Sequence, residues 1–182
     1  MLFSGNPKDL RYEQASDFTQ LLLKAMEKVL QSEDPSAFIR STTGGGIEDI
    51  SGMDAIVTTM LDTYTVQVSF RPEYHPKYKD LLWERWEYPE GRRVTGRSLH
   101  YQFDWWWHFV RSSPTAPQEF DCYVIHRDAL RELVSQIDES GKFPESCSLQ
   151  WVRPKPGDPA KDLYCLGPES IASSISRVSI EQ

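Results

Sequence analysis

Cysteine is scarce in this chain. Cys122, Cys147 and Cys165 are the three present, and no two stand at C-x-x-C spacing. An odd number without that spacing argues against a disulfide framework or a zinc knuckle and points to a reducing compartment. Long apolar runs are also lacking. None approaches the ~20 residues that a membrane span needs, and Met1–Asn6 is too short for the apolar part of a leader, so no membrane partner and a cytoplasmic location are expected. Excess positive charge is missing as well. The 20 Lys and Arg stand against 27 Asp and Glu, a formal net charge of -7. That balance weighs against avid, nonspecific gripping of phosphates. The basic residues that exist crowd one stretch: Lys77, Lys79, Arg85, Arg92, Arg93 and Arg97. There is no G-x-S-x-G elbow, and the Gly44–Gly46 run is not followed by the Gly-Lys-Ser/Thr of a phosphate loop. Those gaps remove the common signatures of nucleophilic and nucleotide-binding enzymes.

What is present is ordinary globular material. In 182 residues, 39% are hydrophobic and 26% charged, which suits one domain with one sizeable core. Phe18, Leu21, Leu22, Met26, Val29 and Leu30 recur at helical spacing, and Asp34-Pro35 marks the end of that helix. A glycine-rich loop follows over Ser41–Gly46. Strands are expected at Met53–Thr58, Tyr64–Arg71, Leu81–Tyr88, Leu99–Val110, Phe120–Ile125, Leu149–Val152 and Leu163–Leu166. The clearest is Tyr64–Arg71, where Val66, Val68 and Phe70 share one face and Gln67, Ser69 and Arg71 the other. Asp128 is placed to cap a helix with the stripe Leu130, Leu133, Val134 and Ile137, ended by Gly141. A last helix is expected over Glu169–Val178. The class is α+β, or α/β with a mixed sheet. The expected organisation is a core over about 15–140, with strands and a helix from 141–182 packed on it.

Two aromatic and polar features need weighing. Alternation puts Trp105 and Trp107 on one strand face and Trp106 on the other, which favours core or a dimer contact over ligand stacking. His100, Gln102, Asp104, Trp106 and His108 would share a face of a regular strand. His100 and His108 would then lie roughly 26 Å apart, too far to share a metal.

The segment with chemical potential runs from Ile47 to Arg71. Asp54 stands at the start of one strand, and Gln67 and Ser69 alternate on the next. This pattern resembles the core of the PD-(D/E)XK nuclease superfamily, over roughly Asp17 to Ile137. In that family an Asp follows a short loop, and an E/Q-x-K pair lies on the next strand. The resemblance implies a restriction-endonuclease-like fold in which Asp54 is the principal metal ligand and Gln67 takes the Glu position. Ser69 stands where the family has its lysine. Glu48 and Asp49 are near enough to add carboxylates, and the first helix carries Glu13 and Glu27. The implied cofactor is Mg or Mn, held by oxygen ligands. The implied activity is phosphodiester hydrolysis on nucleic acid. Ser69 brings no positive charge. Arg71 on the same face, or Lys77 or Lys79 from the next loop, would have to stabilise charge in its place. Two alternatives stand beside hydrolysis. One is an inactive nuclease-like protein that binds a partner protein or DNA, by analogy with viral or mobile-element inhibitors of defence enzymes. The other is an assembly protein whose tryptophans bury a homodimer contact.

Overall fold

The computed structural model describes residues 7–42, 53–71, 73–75, 79–152 and 159–180, with residues 7–16, Arg97 and Leu99 as backbone only. The chain opens with helix α1, Pro7–Glu33. Strands β1 (Phe38–Ser41), β2 (Ala55–Thr58) and β3 (Thr63–Arg71) follow as an antiparallel meander. Next come β4 (Leu81–Tyr88) and the short β5 (Val94–Thr95). β6 (Trp105–Arg111) and β7 (Glu119–His126) form a hairpin, and helix α2 spans Arg127–Ser140. β8 (Ser148–Val152), β9 (Ala160–Leu166) and β10 (Ser174–Ser179) complete the order.

Among the described residues, ten strands make two sheets. The larger has the order β1-β2-β3-β6-β7-β10, and the smaller β5-β4-β9-β8. The larger is mixed, because β3 and β6 run parallel with Val66 beside Trp105 and Ser69 beside His108. A parallel pair needs a long crossover. Here that crossover is not a helix: it carries β4 and β5, which seed the second sheet. Asp104 fixes the entry to the parallel pair. Its Oδ2 accepts from both Thr65 N and Thr65 Oγ1 at 2.8 Å, and its N–H returns a bond to Thr65 O at 3.0 Å.

Alternation along the strands divides the core. Val66, Val68, Trp107 and Phe109 point to one face, where Leu22, Leu23 and Met26 of α1 cover them. Trp106, Val110, Tyr123 and Ile125 point to the other, against Leu81, Trp83 and Leu166 of the second sheet and Leu130, Val134 and Ile137 of α2. The layers are therefore helix, mixed sheet, then small sheet with helix. The fold is α+β with a mixed sheet, as the residue pattern implies. Trp106 and Trp107 are core residues at 4% and 1% exposure. Of the core and dimer contact that strand alternation favours for these tryptophans, both Trp106 and Trp107 take the core, one on each side of β6.

Several sequence expectations are corrected. The strand expected over Leu99–Val110 starts only at Trp105, because Arg97–His100 forms a 3-10 turn. His100 is thus off the strand, and the face shared by His100, Gln102 and His108 does not exist. Glu169–Val178 is not a helix. Pro168–Ser170 is a 3-10 turn, and Ser174–Ser179 pairs antiparallel with β7. Ile175 and Val178 are β-branched, which suits a strand, and pairing with β7 decides the strand state of this serine-rich segment. The cap of α2 is His126, whose Nδ1 accepts from Asp128 N at 3.2 Å, while Asp128 sits in the first turn. β1 and β5 were not anticipated. The expected Gly141 end is present: φ is 64°, and its N–H bonds to Ile137 O at 2.8 Å. The segment from 141 onward contributes to both sheets. β9 pairs with β4 from Leu81↔Leu166 to Tyr88↔Ala160, and β10 closes one edge of the main sheet.

Candidate functional site

Asp54 sits one residue before β2, with its carboxylate against the Gln67 side chain. Its backbone still belongs to the ladder: its N–H bonds to Val66 O at 2.8 Å, and its carbonyl accepts from Thr42 N at 2.9 Å. Regular β2–β3 pairing begins only at Ala55↔Val66. The next N–H on that side of β3 belongs to Val68, and it meets the Asp54 carboxylate instead of a carbonyl, with Oδ2 accepting at 2.6 Å. The same Oδ2 accepts from Gln67 Nε2 at 2.7 Å. Gln67 Nε2 also donates to Val68 O at 3.1 Å. Both amide hydrogens are therefore used, which fixes the orientation of the amide. Gln67 Oε1 points away, is buried, and has no hydrogen-bond donor among the described residues.

Ser69, two residues along the same face, belongs to a separate chain of bonds. Trp106 Nε1 donates to Ser69 Oγ at 2.7 Å. Ser69 Oγ lies 2.7 Å from His108 Nδ1, and His108 Nε2 lies 2.9 Å from the carbonyl of Lys79. A carbonyl can only accept, so Nε2 carries the hydrogen and Nδ1 accepts from the serine hydroxyl. His108 is 2% exposed. Burial holds its pKa down at about 4, with the nearby Arg71 guanidinium acting in the same direction. The imidazole is neutral at pH 7. The chain Trp106–Ser69–His108–Lys79 ties β3 and β6 to the segment that enters β4.

Arg71 stands farther along. Four residues of strand separate it from Gln67, about 13 Å. Its Nε and Nη2 donate to the Asp80 carbonyl at 3.2 and 3.0 Å, and Nη2 lies 3.4 Å from Asp80 Oδ2. It lines a cleft of about 900 Å³ whose wall also includes Asp80, Cys165 and Gln150. Neither Asp54 nor Gln67 lines that cleft. Lys79 also turns away, its Nζ 3.1 Å from Glu169 Oε1. Glu27 is committed to β1, accepting from Ile39 N at 2.7 Å. Glu48, Asp49 and Lys77 lie outside the described residues, as does most of the Ser41–Gly46 loop, and Glu13 is described as backbone only.

The expected quartet is therefore split. Asp54 and Gln67 meet, Ser69 is bound to Trp106 and His108, and Arg71 is bound to Asp80. Among the described residues no group of three or more His, Cys, Asp or Glu is placed to hold a metal. Among the described residues, the Asp54 corner by itself offers few oxygen ligands to a hard divalent cation. Such a cation wants several oxygen ligands. Asp54 offers one carboxylate, whose Oδ2 already takes two N–H groups, and Gln67 turns its NH2 toward it. The sequence reading missed His108 and Trp106 as members of this region. The signal was available: both fall on the same side of β6 as Ser69 does of β3 once the pairing is parallel. None of the family models, curated proteins or solved structures compared with the chain matches it.

Proposed function

We propose that this chain is a nuclease-fold protein that acts by binding a partner protein rather than by cutting nucleic acid. The fold part of this reading is supported by the order of helix, antiparallel meander and parallel β6, together with an Asp before one strand and a Gln on the next. The binding part rests on one observation. Gln67 Nε2 donates to Asp54 and to the Val68 carbonyl, and the N–H of Val68 donates to Asp54, so a hydrogen-bonded lock occupies the corner. The lysine position adds a hydroxyl that is itself spent on Trp106 and His108. With a formal net charge of -7, the chain suits a partner with a basic surface better than it suits DNA.

The test is incubation of the full chain with single- and double-stranded DNA in Mg²⁺ or Mn²⁺. No cleavage and no rise in Tm with either metal is expected. Cleavage that disappears in Asp54→Ala would overturn the proposal. It would favour the rival reading, a Mg- or Mn-dependent hydrolase using Asp54, Gln67, Glu48 and Asp49 with Arg71 as charge stabiliser. One observation favours that rival: the buried Gln67 Oε1 lacks a donor and could face a cation.

A further inference from the structure

The outer edge of the smaller sheet is β8, and it is open. All of Ser148, Leu149, Gln150 and Trp151 are exposed, on both faces of the strand, and only Val152 is partly covered. Leu149 and Trp151 are 55% and 52% exposed. Among the described residues, nothing pairs with the edge that faces away from β9. An edge of this kind is normally guarded by a charge, a proline, a bulge or shortness. The other three edges follow that rule. β1 carries Arg40, β10 carries Arg177 bound to Asp121, and β5 has two residues. β8 reads Ser-Leu-Gln-Trp-Val, without charge, proline or bulge.

We propose that β8 is a homodimer contact: it pairs antiparallel with β8 of a second copy about a twofold axis at Gln150, joining two four-stranded sheets into one. Such a contact lies beyond the proposed function and does not depend on it. Residues directly opposite in an antiparallel pair lie on the same sheet face. With the twofold axis normal to the sheet, only registers centred on a residue satisfy this, and only the one centred on Gln150 pairs all five. That register sets Leu149 of each copy against Trp151 of the other. The two exposed apolar side chains thus cover each other twice. Trp151 already leans on Tyr88, with ring centroids 5.3 Å apart, so the new contact continues an aromatic face. Charge favours the same place. Two chains of net charge -7 repel at most of their surface, and β8 meets its copy without a charged residue.

The contact is modest. Trp151, half exposed, has on the order of 100 Å² left to bury. Five residues of edge fall well short of the ~800 Å² per partner of a standard interface. The dimer is therefore concentration-dependent, with a dissociation constant on the order of 10 to 1,000 μM.

Sedimentation equilibrium of the full chain over that concentration range tests it. The expected result is a monomer–dimer equilibrium. Gln150→Lys sets two ammonium groups together at the axis and should weaken it at least tenfold, leaving the far-UV circular dichroism unchanged. Register is tested by oxidation. Gln150→Cys should form a disulfide-linked dimer, because opposed residues lie within disulfide reach. Ser148→Cys should not, because its partner is Val152. A wild-type chain that stays monomeric throughout would overturn the proposal. So would a dimer indifferent to Gln150→Lys, or one that cross-links through position 148 as readily as through 150.

Discussion

Replacing Gln67 by Glu tests the Asp54–Gln67 lock directly. In the native chain Gln67 Nε2 is 2.7 Å from Asp54 Oδ2. The variant puts a second carboxyl there and removes both bonds that Nε2 makes. Two carboxylates at about 4 Å repel by roughly 4 kcal/mol at an effective dielectric constant near 20. That energy raises the apparent pKa of the pair by about 3 units, since one unit is about 1.4 kcal/mol. The sign follows. The folded variant holds a proton that the unfolded chain has released, so its stability falls as pH rises above the ordinary glutamate value of about 4.3. Below that, the protonated carboxyl donates to Asp54 and replaces the lost amide bond. The expected deficit in urea unfolding is small near pH 4.5 and reaches about 4 kcal/mol by pH 8, with the slope on urea unchanged. Mn²⁺ should then restore stability to the variant alone, by about 2.7 kcal/mol at a hundredfold excess over its dissociation constant. A deficit independent of pH would mean that the two carboxyls do not meet. Equal stabilisation of the native chain by Mn²⁺ would refute the lock and support a metal site.

Two further perturbations bear on the neighbouring bonds. Ser69→Ala leaves Trp106 Nε1 and His108 Nδ1 without the hydroxyl they share; a loss of about 1–3 kcal/mol per buried group is expected in chemical denaturation, and a change below 0.5 kcal/mol would show that water replaces the serine. His108 has its pKa lowered from 6.5 to about 4 by burial, so the unfolded chain binds the proton that the folded chain refuses. Stability should therefore fall by about 1.4 kcal/mol per pH unit as pH drops from 6.5 toward 4, reaching about 3 kcal/mol, and His108→Gln should flatten that part of the profile; an equal slope in both proteins would refute the assignment.

The parts of the fold that were legible in the sequence are those where one local pattern decides. β3 alternates cleanly, and α2 has an unbroken apolar stripe and a glycine end. The parts that were not legible depend on partners distant in sequence. β10 is short and serine-rich, and its strand state comes from lying beside β7 more than fifty residues earlier. The run before Trp105 looked extended because Tyr101 and Phe103 continue the aromatic series. Ser98 instead turns inward, and its Oγ accepts from Glu84 N at 2.9 Å, which holds the 3-10 turn against β4. Gly96, just before it, approaches so closely that a Cβ would stand 2.3 Å from Glu84 O. Only glycine allows that contact.

At the candidate site the same division applies. The meeting of Asp54 and Gln67 follows from hairpin register, which the strand pattern carries. The fates of Ser69 and Arg71 follow from the crossover, which it does not. The segment from Lys79 to Asp80 returns across the end of β3 and supplies two carbonyls, one to His108 and one to Arg71. The Asp80 carbonyl claims the guanidinium that the hydrolytic reading assigns to charge stabilisation, and the Lys79 carbonyl fixes the imidazole that holds Ser69. A lysine in place of Ser69 would have to displace Trp106 Nε1 and His108 Nδ1 from their shared partner and carry its charge next to an imidazole that burial keeps neutral. The small hydroxyl accepts from one ring and donates to the other with no charge to solvate. Position 69 thus serves the joint between β3, β6 and the segment entering β4, and the serine there and the strand-built crossover are two sides of one structural solution.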